Sequence, residues 1–383
     1  MSVTAAKGFR AAGVAAGLKT TGAPDVALVV NDGPSQAAAG VFTSNRVQAA
    51  PVLWSRQVLT GGRLQAVVLN SAGANACTGP EGFQNTHKTA ERVAAELGLN
   101  SGEVAVCSTG LIGLQLPMDK LLPGVDKAAA ELSADGGEAA AKAIMTTDTV
   151  HKVATAGGLG WTVGGMAKGA GMLAPGLATM LVVLTTDADV PAEELDAALR
   201  AATRTTFDRI DSDGCMSTND TVLLLASGAS GVAPDPAEFA EAVRTVCAEL
   251  ARVLIGDAEG ASKDIAIDVV AAASEDDALD VARSIARNNL LKCAVHGEDP
   301  NWGRVLSAIG TTAAVFDPDR LDVAINGVWV CRGGAVGDDR DLVDMTGREV
   351  RITARLNAGD HAVTVWTNDL TADYVHENSA YSS

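Results

Sequence analysis

The sequence predicts a mixed α/β (α+β) protein with a β-rich C-terminal part, and three observations carry that expectation. Short β-type runs alternate with helical stretches through the first half, so both hydrophobic periodicities share one region. Hydrophobic residues make up 47% of the chain and aromatics only 3%, which implies a core of Val, Leu, Ile and Ala. Beyond residue 300 β-type runs dominate, and this argues against a simple doubly wound sheet.

Taken in order, Val26–Val30, Ala39–Thr43 and Leu64–Val68 read as short strands bounded by Gly, Pro, Asn or Asp. Glu81–Leu97 has helical periodicity and stops at Gly98, a suitable C-terminal cap. Val104–Cys107 is a strand that runs straight into Ser108, Thr109 and Gly110. Asp126–Thr146 is Ala-rich and helical, broken at Gly136 and Gly137. Gly157–Gly176 is glycine-dense, and Thr179–Thr186 then reads as a fully buried strand by length and β-branching. Pro191–Thr205 is a helix with Glu193 and Glu194 in its first turn. Val222–Leu225 is a strand, Ala237–Leu254 a long helix, Ile265–Val270 a strand and Asp277–Asn288 a helix. The remaining β-type runs are Arg304–Ile309, Leu321–Ile325, Val328–Cys331, Val350–Leu356 and Ala362–Asn368. At 383 residues two domains are expected, and a composition shift near 274–276 marks the boundary.

Composition excludes several functions. The net charge is −18 with no basic run to offset it, so a nucleic-acid partner is not expected. The six cysteines are widely spaced and include no C-x-x-C pair, which reads as inert thiols in a reducing compartment. The five histidines never fall at H-x-x-x-H spacing, which excludes a zincin site, and the expectation is of no metal and no cofactor. Met172–Leu184, the most apolar run, is interrupted by Pro175 and Gly176 and is too short to span a bilayer. The expectation is a soluble cytoplasmic protein with no membrane partner.

Two motifs have bland explanations. Gly169–Ala174 fits G-x-G-x-x-A, but Pro175 and Gly176 follow where a dinucleotide fold needs a helix. Asp211–Gly214 resembles the start of a calcium loop without its closing Glu, and an Asx-type turn is the expectation there. A third segment, Lys168–Leu181, holds a lone lysine, a Gly/Pro-rich approach, the small Ala178 and then Thr179. A threonine opening a strand is ordinary by itself.

This segment resembles the cleavage and nucleophile motif of the ornithine acetyltransferase (glutamate N-acetyltransferase) family. Ser108–Gly113 resembles that family's oxyanion-hole segment and Ala143–Thr149 its substrate-side turn. Asp213–Asp220, His296–Arg304 and the ending Asp369–Ser383 are similar to further signature stretches, in the same order. Ser382 and Ser383 stand where the family often has threonine.

The resemblance implies an N-terminal-nucleophile-like self-processing fold of layered β-sheets and helices, with a smaller β-rich C-terminal domain. It implies cleavage between Ala178 and Thr179. The α chain would be 1–178 and the β chain 179–383, with 179–275 completing the main domain and 276–383 forming the C-terminal domain. Thr179 would be the nucleophile, with the Thr109 hydroxyl and Gly110 N–H as oxyanion donors. Thr146, Thr147, Lys168, Thr179, Glu259, Asn378 and Ser383 would bind substrate, Lys168 meeting a carboxylate and Glu259 the cationic amine of ornithine. The implied reaction is ping-pong transfer of acetyl from N2-acetylornithine to glutamate, with acetyl-CoA left open as a second donor. The implied assembly has two chains of each kind.

The chemistry suits the residue types. A threonine hydroxyl needs a base, and a freed α-amine with a reference pKa of about 7.7–8.0 lies beside it. Two rivals remain at this point: a self-processing aminopeptidase-type amidohydrolase that gives the acyl group to water, and a non-catalytic binding or assembly protein whose Gly-rich run is only a turn.

Overall fold

The structure, a computed structural model, describes residues 2–175 and 180–380. The chain divides into two compact units. The first holds the residues up to Asp208 together with Met216–Asp257, and the second holds Arg209–Cys215 and Ala258–Ser382.

Nine strands of the first unit are Phe9–Val14 (β1), Val26–Asn31 (β2), Ala37–Phe42 (β3), Ala66–Asn70 (β4), Val104–Ser108 (β5), Lys152–Gly158 (β6), Trp161–Lys168 (β7), Leu181–Thr186 (β8) and Thr221–Ala226 (β9). Its helices are Ala50–Val58 (α1), Gly79–Leu97 (α2), Met118–Ala130 (α3), Gly137–Ala143 (α4), Ala192–Thr205 (α5) and Pro236–Gly256 (α6). One sheet runs β1-β2-β4-β5, and a second runs β3-β9-β8-β7-β6.

The strands are apolar on both faces because both faces are covered. In β2, Ala27 and Val29 face one core shared with Met166, Val183 and Leu223 of the second sheet. Val26, Leu28 and Val30 point the other way, into a core with Ala90 and Val93 of α2 and Leu121 of α3. α5 and α6 cover the second sheet, where Gly165 leaves room for Val246 and Leu250 of α6. The expected layered fold is therefore helix, sheet, sheet, helix.

The second unit holds Asp264–Ala272 (β10), Asp322–Ile325 (β11), Val328–Arg332 (β12), Ala335–Val336 (β13), Glu349–Arg355 (β14) and His361–Asn368 (β15). They form one sheet in the order β13-β12-β11-β14-β10-β15. Its helices are Glu275–Ala286 (α7), Asn289–His296 (α8), Trp302–Ile309 (α9) and Ala372–Ala380 (α10). Ile265, Ile267 and Val269 of β10 pack with Val281 and Ile285 of α7 and with Val305 and Ile309 of α9.

Several expectations change. The boundary at 274–276, and with it a C-terminal domain starting at 276, moves upstream because β10 pairs in parallel with β14 and antiparallel with β15. Arg304–Ile309 is helical, not a strand: the Asn301 side chain caps α9 by accepting from Arg304 N, and Val305, Ala308 and Ile309 fall on one buried face. The helical stretch expected over Asp126–Thr146 starts earlier, at Met118, with Pro123 inside it. Of the strand expected over Thr179–Thr186, Leu181–Thr186 is observed and Thr179 lies outside the described residues. The next element described after Gly169–Ala174 is the strand β8, where a dinucleotide fold needs a helix. No described helix is long and apolar enough to cross a membrane.

Candidate active site

In the first unit, the C-terminal ends of β5 and β7 and the starts of β8 and β9 converge. β5 continues into Thr109 and Gly110, and hydrogen bonds fix this corner. Thr109 N donates to Asn70 O at 3.0 Å. Ser108 Oγ donates to Asn70 Oδ1 at 2.6 Å, and Asn70 Nδ2 donates to Gly73 O at 3.1 Å. Asn219, just before β9, donates from Nδ2 to Ala74 O at 2.6 Å and to Ser108 O at 2.8 Å, which joins the two sheets at this end.

Gly110 is required where it stands. Its φ is +129°, and a Cβ there would lie 2.7 Å from Gly73 N. Any side chain would push the backbone away from the loop at Gly73 and re-aim the Gly110 N–H. The 109–110 pair can thus present a hydroxyl and an amide from a rigid frame.

Lys168 ends β7, in register with Leu181 of β8. It is 2% exposed, and its Nζ donates to Thr109 Oγ1 at 3.2 Å. A buried ammonium is costly unless opposite charge is close. Asp148 supplies it: burial alone would raise this carboxyl, but Lys168 and Lys152 outweigh the burial and hold its pKa below the ordinary range. Asp148 Oδ1 accepts from Gly169 N at 2.7 Å and from Lys152 Nζ at 2.6 Å, and Oδ2 accepts from Thr146 N at 2.9 Å. Lys152, fully buried, also donates to Asp257 Oδ2 at 2.5 Å. One carboxylate therefore ties the Thr146–Thr147 turn to the end of β7 that carries Lys168.

Asp220, at the start of β9, accepts from Met180 N at 3.2 Å through Oδ1. Burial raises its pKa well above the usual carboxylate value, against the weaker opposing pull of that N–H and of Lys168. The corner therefore carries a buried cation, an ionised Asp148 and an Asp220 whose environment favours the neutral form.

Of the site residues expected from sequence, the structure brings Thr109, Gly110, Lys168 and Thr146 into one hydrogen-bonded frame, with Thr147 on the same turn. Glu259 and Asn378 belong to the second unit. Ala178, Thr179 and Ser383 lie outside the described residues. Sequence reasoning assigned no role to Asp148, Lys152, Asn219, Asp220 or Asp257. Asp148, Asn219 and Asp220 sit inside the motif stretches already singled out, so their position was available but their pairing was not.

The expected Asx-type turn at Asp211–Gly214 is modified. Asp211 is buried, its Oδ2 accepts from Arg287 Nε at 2.7 Å, and its N–H donates to Trp366 O at 2.8 Å. Among the described residues, no group of three or more His, Cys, Asp or Glu could hold a metal ion.

The ArgJ family is matched over residues 10–383. An arginine biosynthesis bifunctional protein ArgJ from Streptomyces avermitilis is 76% identical over 383 residues, covering 100% of both chains. The protein of the same name from Streptomyces coelicolor is 74% identical over 383 residues, again covering 100% of both. Among solved structures, an ornithine acetyltransferase complexed with ornithine from Mycobacterium tuberculosis is 62% identical. That similarity covers 47% of this chain and 96% of that chain, with a TM-score of 0.45.

Proposed function

The chain belongs to the ArgJ family, and from that premise we propose how its residues carry out acetyl transfer. It is an acetyltransferase of arginine biosynthesis that moves acetyl from N2-acetylornithine to glutamate, giving ornithine and N-acetylglutamate. The observation that carries the mechanism is the buried Lys168 ammonium on the Thr109 hydroxyl, at a strand end in register with Leu181. Position 179 precedes that residue by two.

Activation begins when Thr179 Oγ attacks the Ala178 carbonyl, the peptide C–N bond breaks and the acyl group moves to oxygen. Water then opens the ester, leaving the Ala178 carboxylate and a free Thr179 amine. In turnover that amine takes the Oγ proton as the oxygen attacks the acetyl carbonyl. The tetrahedral oxyanion is held by the Thr109 hydroxyl and the Gly110 N–H, and the proton passes to the departing ornithine nitrogen. Glutamate's amine then attacks the acetyl-threonine, and the same steps run in reverse order. Lys168 pairs with a substrate carboxylate, and Glu259 meets the ornithine ammonium. Thr146, Thr147, Asn378 and Ser383 complete the binding groups.

The same threonine accepts acetyl from acetyl-CoA in the second activity. The working form is two α (1–178) and two β (179–383) chains in the cytoplasm.

Intact mass spectrometry of the purified chain and of Thr179→Ala tests the proposal. Two fragments meeting at 178/179 are expected for the first and one continuous chain for the second. Incubation with N2-acetylornithine alone adds one acetyl group to the 179–383 fragment, and glutamate removes it. A continuous wild-type polypeptide that turns over, or an active Thr179→Ala, would sink the mechanism.

A further inference from the structure

Two of the proposed substrate-binding residues, Glu259 and Asn378, stand on different elements of the second unit: a loop and the last helix, α10. Within α10 only Tyr374 and Glu377 are half-buried, and every other residue is exposed. A helix of nine residues with so little buried surface is marginal alone. What holds it is a joint one residue away from Glu259.

Gly260 has a φ of +61°, and a Cβ there would lie 2.2 Å from Tyr374 N and 2.6 Å from Tyr374 Cα. The loop backbone therefore rests directly on the first turn of α10. Thr371, 5% exposed, bolts the two together: its Oγ1 donates to Gly260 O at 2.6 Å and accepts from Tyr374 N at 2.8 Å. The Tyr374 phenol is hydrogen-bonded to Asp213, and burial and that carboxylate raise its pKa. Tyr374 O accepts from Asn378 Nδ2 at 3.0 Å, so the Asn378 side chain is oriented by the residue that the joint grips. On the loop's other side, buried Asp369 accepts from Ser262 N at 2.9 Å, from Lys263 N at 2.8 Å and from His296 Nδ1 at 3.0 Å.

We propose that Gly260, Thr371 and Tyr374 form a positioning joint that fixes Glu259 and Asn378 relative to each other, and so sets the affinity for the ornithine-bearing substrate. The joint rests on the substrate-binding roles assigned above. None of its three residues touches a reacting atom. Its contribution is preorganisation: without it α10 frays, and binding must order the helix each time. That cost falls on KM and leaves self-cleavage at 178/179 untouched.

Thr371→Val and Thr371→Ser separate this from general damage. Valine keeps the shape and loses both Oγ1 bonds, while serine keeps both. The expected result for Thr371→Val is complete self-cleavage, kcat within about twofold, and a KM for N2-acetylornithine raised about tenfold. Thr371→Ser returns KM to within about twofold of wild type. Hydrogen exchange of 372–380 is faster in the valine variant and is slowed by substrate. Should Thr371→Val fail to fold, Tyr374→Phe, which removes only the bond to Asp213, is read in the same way. An unchanged KM in the variant that folds overturns the joint. So does a raised KM that serine fails to rescue, or a loss of self-cleavage in step with KM. Uncut wild-type chain without acetyl transfer is a different failure, that of the acetyltransferase mechanism itself.

Discussion

Lys168 is a charge kept out of water, and Asp148, which stays ionised against its own burial, offsets part of its cost. Thr109 gains from that arrangement. With the ammonium donating to Oγ1, the hydroxyl hydrogen is free to aim at a developing oxyanion. Thr109→Val should therefore lower acetyl transfer by about 10²–10³ in kcat, the usual cost of one oxyanion donor. Steady-state kinetics on folded, cleaved enzyme check this, and a loss below about tenfold would remove Thr109 from the oxyanion role. Asp220 is the opposite case from Asp148. Its pKa is raised by burial, so the protonated form favours folding. That contribution is whole below the unfolded value of about 3.9 and drains away as pH rises through the raised folded value. Asp220→Asn should therefore flatten the fall of Tm with rising pH relative to wild type. Parallel Tm–pH curves for the two proteins would contradict it.

At the scale of elements, the chain's legibility followed the strength of local signals. Gly98 marked the end of α2, and it stands there at φ +67° with its N–H on Ala94 O. A Cβ at Gly98 meets no atom within 4 Å, so Gly98→Ala isolates the left-handed backbone and should cost about 1–2 kcal/mol in a urea titration. Where signals were short they misled. Residues 304–309 are too few to separate a helical period from a strand, and the decisive group, the Asn301 cap, lies outside the run. β6 and β7 were hidden by their glycines, which in a strand usually signal weakness. Here Gly164 and Gly165 are spaces for other parts of the fold: an added Cβ would meet Ser2 O at 2.2 Å at the first and Leu184 Cδ2 at 2.7 Å at the second. The motifs singled out Thr109, Gly110, Thr146 and Lys168, which the structure brings into one hydrogen-bonded frame. The Asp148–Lys152–Asp257 cluster was not legible in the sequence, because buried charges are recognised only with their partners, and Asp257 is 105 positions from Lys152.

For the whole molecule the consequence of cleavage is set by strand order. In the sheet β3-β9-β8-β7-β6, strands β3, β6 and β7 belong to residues 1–178, and β8 and β9 to residues 179–383. The two proposed chains therefore alternate across one sheet, with joins at β3–β9 and at β7–β8. β8 and β9 are buried along their full lengths. Separating the chains would strip both joins at once, leave their backbone donors and acceptors unpaired and expose Val183 and Leu223. Cutting the peptide bond changes none of those contacts. The fragments should accordingly co-elute in native size-exclusion chromatography and part only at the denaturant concentration where the secondary structure is lost. Far-ultraviolet circular dichroism and fragment separation, followed through one urea series, should give a single midpoint. A fragment 1–178 that elutes alone while its dichroism remains native would show that the sheet is not the bond between the chains.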